Sequence, residues 1–127
     1  VQAVAAALCL LRRDVLLLCA GDQDEFALED GLCAGCIIEE LYRQSHYPIR
    51  LNDLGRVLHQ AVTQCEDTIP DLVRVSTGAR RLDKLGRMHD VTYCSQLNVL
   101  DCVPEMREDH RMELFRGLEG ERISKLL

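Results

Sequence analysis

Apolar residues recur every three or four positions between residues 51 and 65, and no other feature of the sequence constrains the fold as strongly. Five of them are spaced by three, four, three and four positions: Leu51, Leu54, Leu58, Ala61 and Cys65. This spacing puts one apolar stripe on an α-helix. Asn52 or Asp53 can cap the first turn, so we predict a helix from about 53 to 65. The same stripe predicts a buried core made of Leu54, Leu58, Ala61 and Val62.

Two segments before this helix have a similar period. In the first, the stripe contains Val4, Leu8, Leu11, Val15 and Leu18. It predicts a helix over roughly residues 2–19, apolar nearly all round and therefore central. The second helix begins between 26 and 30 and ends before Pro48. Gly31 and Gly35 each weaken it by up to about 1 kcal/mol relative to Ala, which indicates either close backbone packing or a break.

The second half of the chain has mixed signals. The segment LVRVS at 72–76 alternates apolar and polar residues, which favours a short strand, and Val91, Thr92 and Tyr93 favour a returning strand at 90–94. Residues 77–87 fit either a charged helix or a loop. Pro104 suits the first turn of a last helix that would run to the end of the chain.

These elements predict a mostly α fold: a compact bundle of about five helices, with a small two-stranded β wing near 72–76 and 90–94. The chain has 127 residues, of which 47% are hydrophobic and 28% charged. That balance suits one globular core, so we expect residues 1–127 to form a single domain.

The charge pattern bears on binding partners. Lys and Arg number 15 against 21 Asp and Glu, and the net charge of −6 disfavours non-specific contact with nucleic acid. One stretch is nevertheless basic, with only Asp83 among its positive charges: Arg74, Arg80, Arg81, Lys84 and Arg87. If the chain contacts a partner electrostatically, we expect these five residues to bind it.

Cysteine usage indicates the cellular compartment. There are seven cysteines, an odd number, and several lie in apolar runs where a free thiol packs as a small hydrophobic group. We therefore expect a reducing, intracellular location, in cytoplasm or nucleus. We expect no signal peptide, because Arg12 and Arg13 follow the first apolar run without a basic leader before it, and no membrane span, because all apolar runs are far shorter than about 20 residues.

Cys33 and Cys36 form one CxxC motif, a spacing that lets two thiolates bind one metal or form a reversible disulfide. A zinc site needs two more ligands at suitable spacing, and a redox site needs a helix N-terminus, whereas this motif falls inside a predicted helix. We interpret both thiols as packing groups and keep a thiol or metal site as an alternative.

A short part of the sequence resembles the LOTUS family of winged-helix domains. The matching residues are Tyr42-Arg43, Pro48-Ile49, Leu54-Gly55 and IPDLVRV at 69–75. About four extra residues separate the last two matches, and Arg56 stands where the family has an aromatic residue. The resemblance implies an adaptor that binds RNA or an RNA helicase, with residues 72–76 and 91–93 as wing strands.

The sequence contains no glycine-rich phosphate loop, no GxSxG turn and no HExxH motif. Its adjacent carboxylates, such as Glu39 and Glu40, point to different faces of a helix. We therefore predict no catalytic residue, no metal ligand and no cofactor. The leading hypothesis is a non-enzymatic intracellular interaction module, or a subunit of a larger assembly, with a protein partner and with RNA as the alternative.

Overall fold

The computed structural model of the protein describes residues 1–118. In this part of the chain six α-helices precede a two-stranded antiparallel sheet, which confirms the predicted mostly α class with a small β element. The helices are α1 (Gln2–Leu11), α2 (Leu28–Gln44), α3 (Asp53–Cys65), α4 (Ile69–Arg74), α5 (Thr77–Lys84) and α6 (Met88–Cys94). The strands are β1 (Pro104–Met106) and β2 (Met112–Leu114). None of the described helices has the length and apolar character that crossing a bilayer requires.

Helix α2 is the centre of the packing, since it contacts α1, α3 and α4. The core between these helices contains Leu32 and Cys36 of α2, Val62 of α3 and Ile69 of α4. From α1 it receives only alanines, at positions 3, 5, 6 and 7. The core is therefore small, and the position of α2 decides where the other helices lie.

Two glycines let α3 approach α2 closely, which confirms close packing as their role. A Cβ atom on Gly35 would lie 2.6 Å from Cγ2 of Val62 and 2.7 Å from the carbonyl oxygen of Leu58. A Cβ atom on Gly31 would lie 2.5 Å from the ring of Phe26. The neighbour of Gly35 is backbone and cannot move away cheaply, whereas the exposed Phe26 ring can rotate.

The bounds of α3 agree with the prediction, and Asn52 caps it by accepting a hydrogen bond from the Gly55 N–H at 2.8 Å. The predicted core residues are only partly right. Val62 is buried and Leu58 is half-buried, but Leu54 is 60% exposed and Ala61 is also exposed. The face of α3 that contains Gly55 and Val62 contacts α2, so the buried stripe lies to one side of the predicted one.

Helix α1 is shorter than predicted, because it ends at Leu11 and not near residue 19. Arg12 adopts a left-handed conformation with φ of 51°, and its N–H bonds to the Leu8 carbonyl. The guanidinium of Arg12 also lies 5.3 Å from the centre of the Tyr47 ring, a cation–π contact that fixes this turn. Residues 13–20 continue as irregular, non-helical chain. The run from Val15 to Leu18 is apolar at every position, so its period could not distinguish a helix from another buried segment.

The predicted wing strands at 72–76 and 90–94 are wrong. Residues 72–74 belong to α4, in which Pro70 occupies the first turn and favours a helix start. Residues 90–94 belong to α6, whose Val91 is buried. The β-branched residues in these segments pack one face of a short helix, so tertiary contacts outweigh their strand preference. The segment 77–87, which fitted a helix or a loop, begins as helix α5.

The sheet lies instead where a last helix was predicted from Pro104. β1 pairs with β2 in antiparallel register, with Pro104 opposite Leu114 and Met106 opposite Met112. The like charges of Glu105 and Glu113 are also opposite each other, and Arg107 bridges both at 3.1 Å. The helix prediction is therefore wrong over residues 104–115. Residues Arg116–Leu118 form a short 3₁₀ helix, and the remaining part of the predicted helix lies outside the described residues.

Gly35→Ala should lower the free energy of unfolding by about 1–3 kcal/mol, because overpacking against the α3 backbone exceeds the helix preference of Ala. Gly31→Ala is the matched control, since its new methyl group contacts a movable ring, and we expect a smaller loss. Urea denaturation monitored by circular dichroism measures both. Equal changes in the two variants, or a gain in stability at position 35, would contradict close backbone packing at Gly35.

Candidate functional site

A cavity of about 150 Å³ lies where two helices begin. Its walls are the loop from Asp22 to Ala27, the first turn of α2, and residues 75–78 with Arg80 at the start of α5. The cavity therefore suits one small polar or charged group.

The N-termini of α2 and α5 both line this cavity. The first N–H groups of a helix have no partner within the helix and carry the positive end of its dipole. In the described part of the chain, no hydrogen bond uses the N–H groups of Leu28, Glu29, Thr77 or Gly78. Ser76 caps only one donor of α5, the N–H of Ala79, at 3.1 Å. Two positive helix ends with unused donors favour an anion.

The loop before α2 is fixed by its own backbone. Asp22 and Glu25 exchange two N–H to carbonyl hydrogen bonds of 3.0 Å, which closes a tight turn. Gly21 has φ of 73°, and a Cβ atom there would lie 2.7 Å from the Glu25 carbonyl oxygen. The Asp30 carboxylate accepts a hydrogen bond from the Gly21 N–H at 2.8 Å, so the loop is also attached to the first turn of α2.

Charged side chains of both signs surround the cavity. Arg80 lines it directly, and the neighbouring Arg81 forms an ion pair with Asp22 at 2.7 Å across 59 residues of sequence. The Glu29 carboxylate packs against the Cα of Gly78, in space that any larger residue at 78 would occupy. The cavity wall therefore carries one guanidinium, that of Arg80, and three carboxylates, those of Asp22, Glu25 and Glu29.

The structure separates the five residues of the predicted basic stretch. Arg80 and Arg81 lie at the cavity, and Lys84 ends α5. Arg74 ends α4, where its guanidinium lies 3.4 Å from the Thr92 hydroxyl, and Arg87 precedes α6. The stretch is therefore spread over α4, α5 and the residue before α6, and Arg80 is its member that lines the cavity, with Arg81 paired to Asp22 of the wall.

The CxxC motif lies inside α2, as the sequence indicates, and its two thiols differ. Cys33 is exposed, whereas Cys36 is buried in the core. Burial raises the pKa of Cys36 to about 11, so its thiol is protonated at neutral pH. Partial desolvation by the surrounding atoms also raises the pKa of Cys33, although the residue is exposed to solvent. All seven cysteines are free, and the described residues contain no group of three His, Cys, Asp or Glu side chains that could hold a metal ion.

A second cavity of about 460 Å³ lies on the other side of Glu29 and Gly78, which line both spaces. Its walls are mostly apolar and include Cys33, Cys36 and Cys94. Because raised pKa values keep the first two thiols neutral, neither Cys33 nor Cys36 supplies the thiolate that a cysteine nucleophile needs.

A polar cluster on the far part of α2 connects it to α3. Nε2 of His59 lies 2.6 Å from Oε2 of Glu39, and the ring of Tyr42 stacks on the imidazole with centroids 4.7 Å apart. Arg43 pairs with Glu39 and with Glu66, and the hydrogen bond that its guanidinium donates to the Glu66 carboxylate raises the pKa of Arg43. Every charge in this cluster has a partner, so the cluster is best explained as a structural link.

The sequence-based prediction named Arg80 and Arg81 and placed the start of α2 between residues 26 and 30, but it did not bring the acidic loop or the start of α5 beside them. Ser76 is an N-cap residue type and therefore a helix-start signal, which the strand interpretation of 72–76 obscured. Glu29 and Gly78 are 49 residues apart in the sequence, and no local pattern brings them together.

Comparison with known proteins identifies the family. The sequence model of the 2-phosphosulpholactate phosphatase family matches residues 1–109. The chain belongs to the 2-phosphosulpholactate phosphatase family. Probable 2-phosphosulfolactate phosphatases that resemble it include one from Symbiobacterium thermophilum, 35% identical over 106 residues, and one from Carboxydothermus hydrogenoformans, 38% identical over 104 residues. These matches cover 84% and 82% of the chain, but 45% and 42% of the relatives. The chain thus spans less than half the length of these curated relatives.

Family membership corrects the functional predictions. The chain is related to enzymes, so the prediction of a non-enzymatic interaction module or adaptor is wrong. The resemblance to LOTUS domains fails with it, since both expected wing strands are helical. The alternative of a thiol or metal site at Cys33 and Cys36 gains no support, since the family is named for a phosphatase and no three metal-ligating side chains come together in the described residues. The functional predictions did not use the start of α5. A helix N-terminus beside arginines is a common anion site.

Alkylation should report the protonated state of Cys36. We expect slow labelling by iodoacetamide at pH 8 and a rise of about tenfold per pH unit until about pH 11, because only the thiolate reacts. Mass spectrometry of the intact fold gives the rates, and urea-denatured protein provides the control. A labelling rate that is already constant near pH 7 would indicate a stabilised thiolate and reopen the thiol-site alternative.

Proposed function

We propose that this chain contributes the anion-binding site of a phosphatase acting on a small phosphate monoester, 2-phosphosulfolactate. The observation that supports the proposal is the convergence of two helix N-termini and Arg80 on one cavity, in a chain of this family. The name of the relatives supplies the substrate class.

The chemistry of this substrate suits the cavity. 2-Phosphosulfolactate carries a phosphate, a sulfonate and a carboxylate, so it presents several anionic oxygens within a few bonds. Helix N-termini bind such oxygens through N–H groups and through the positive end of the dipole. We assign this role to the first turn of α5, with the N–H groups of Thr77 and Gly78, and to the first turn of α2.

Arg80 supplies the positive side chain. A guanidinium presents a planar set of donors that matches two oxygens of a phosphate or sulfonate. During hydrolysis, negative charge on the phosphoryl oxygens is stabilised by donors that are already oriented. Arg81 has a supporting role, because its ion pair neutralises Asp22 and reduces the repulsion between the acidic loop and an anionic substrate.

We propose Glu29 as the proton acceptor. Its carboxylate is half-buried beside Gly78, next to the N–H groups that would hold the phosphoryl group. Water attacks phosphorus as its proton moves to Glu29, and the bond between phosphorus and the substrate's C2 oxygen breaks. The oxygen then takes up a proton, which yields sulfolactate and inorganic phosphate.

We also propose an intracellular location. All seven cysteines are free thiols, and Cys36 packs in the core. Free cysteines at this density are typical of a reducing compartment.

Arg80→Gln should raise KM for 2-phosphosulfolactate by about 10- to 100-fold, because a hydrogen bond to a charged group contributes about 1.5–3 kcal/mol. Glu29→Gln should instead lower kcat with little change in KM. Both kinetic constants are obtained from the release of inorganic phosphate by a family-length chimera. In this chimera, the matching part of this chain replaces the 106 aligned residues of the Symbiobacterium relative.

Arg87→Gln is the matched control, since Arg87 belongs to the same basic stretch but precedes α6 and does not line the cavity. We expect unchanged kinetics for this variant. Equal effects of Arg80→Gln and Arg87→Gln would remove the cavity from substrate binding. A chimera that folds but releases no phosphate from 2-phosphosulfolactate would contradict the assigned substrate.

A further inference from the structure

The segment from Val15 to Ala20, which we name the apolar segment, lacks the packing that its sequence requires. It runs as non-helical chain between α1 and the turn at Gly21. Leu16 is 85% exposed and Leu18 is 88% exposed, and Val15 and Cys19 are also exposed. A continuous run of large apolar side chains in water is costly, because exposure forfeits the favourable free energy of burying each of them.

The pattern of the run indicates burial on two sides. In an extended chain, Leu16 and Leu18 point to one face while Val15 and Leu17 point to the other. Both sets are apolar. Strands with polar residues on alternate positions face water on one side, whereas near-continuous apolar runs are typical of inner strands covered on both faces.

The backbone of the segment is also unpaired. Among the backbone hydrogen bonds of residues 1–118, none uses an N–H or carbonyl group of residues 13–20. The two strands β1 and β2 have three residues each and already pair with one another. The described part of the chain therefore contains no strand that covers the apolar segment.

The position of the segment agrees with a strand of an α/β sheet. It is followed by a tight loop and then by α2, and the loop forms one wall of the small cavity. In open α/β sheets, ligands bind in the crevice outside the carboxyl ends of the strands. The carboxyl end of the apolar segment leads directly into the cavity at Asp22.

We propose that the apolar segment is an inner strand of a β-sheet. The neighbouring strands of this sheet come from a polypeptide that corresponds to the part of the relatives outside their alignment with this chain. That part is more than half of each relative's length, which is enough for several strands. A second copy of this chain fits less well, because pairing two such segments edge to edge leaves the side chains of Leu16 and Leu18 uncovered. This inference goes beyond the proposed catalytic function and does not depend on it.

Amide hydrogen exchange tests the proposal directly. In the 127-residue chain alone, the amides of residues 15–20 should exchange at nearly the rate of an unstructured peptide. In the family-length chimera with the Symbiobacterium relative, the same amides should be protected by about 100-fold or more, since they become bonded inside a sheet. Equally fast exchange in both proteins would overturn the proposal. Strong protection in the isolated chain together with dimer formation would assign the segment to a second copy instead.

A pair of substitutions separates a strand interface from a merely exposed loop. Leu16→Lys with Leu18→Lys should leave the melting temperature of the isolated chain nearly unchanged, because both side chains are in water there. In the chimera, the same change should lower it by about 10 °C or more. Leu85→Lys is the control, since Leu85 is 69% exposed outside the segment, and it should have little effect in either protein. Equal small shifts of the double variant in both proteins would contradict the buried strand.

These outcomes are independent of catalysis. A chimera that protects the segment but does not hydrolyse 2-phosphosulfolactate would support the strand and contradict the proposed substrate. An active chimera in which the amides of the segment exchange freely would support the proposed substrate and contradict the strand.

Discussion

The contact between α2 and α3 at Gly35 determines how the described part of the chain is organised. Without a side chain at this position, the carbonyl of Leu58 and the methyl group of Val62 come within touching distance of the α2 backbone. Val62 then reaches Leu32 and Cys36, and Ile69 completes the cluster. Because these side chains are few and α1 contributes only alanines, the packing depends on close approach more than on large buried volume.

Helix α2 lines the proposed substrate-binding cavity with its N-terminus and forms ion pairs near its C-terminus. Its N-terminus meets α5 at the cavity, where Glu29 packs on Gly78. Its C-terminal half carries Glu39 and Arg43, whose partners on and after α3 fix the orientation of the helix. If α2 were oriented differently, its N-terminus would lie away from that of α5. The N–H donors proposed to bind the substrate would then no longer face one cavity.

Much of the helical framework could be predicted from the sequence, because it depends on local signals. The periodic stripe and the Asn52 cap set the bounds of α3, and Pro48 follows the end of α2. The run at 15–20 could not be assigned, since a segment that is apolar at every position has no informative period. The short helices α4 and α6 contain β-branched residues whose burial, and not their intrinsic preference, decides their structure. At the site, charge alone drew attention to Arg80 and Arg81. Their acidic neighbours come from a loop more than fifty residues away, as the pair of Arg81 with Asp22 illustrates.

We propose that an anionic substrate group binds where the N-termini of α2 and α5 meet. The most direct test is to measure amide chemical shifts while 2-phosphosulfolactate is added to the family-length chimera. We expect saturable shifts at the amides of Leu28, Glu29, Thr77 and Gly78, with amides near Glu39 and His59 unaffected. Saturable binding that shifts amides elsewhere in the chain, with those four unchanged, would rule out this binding site.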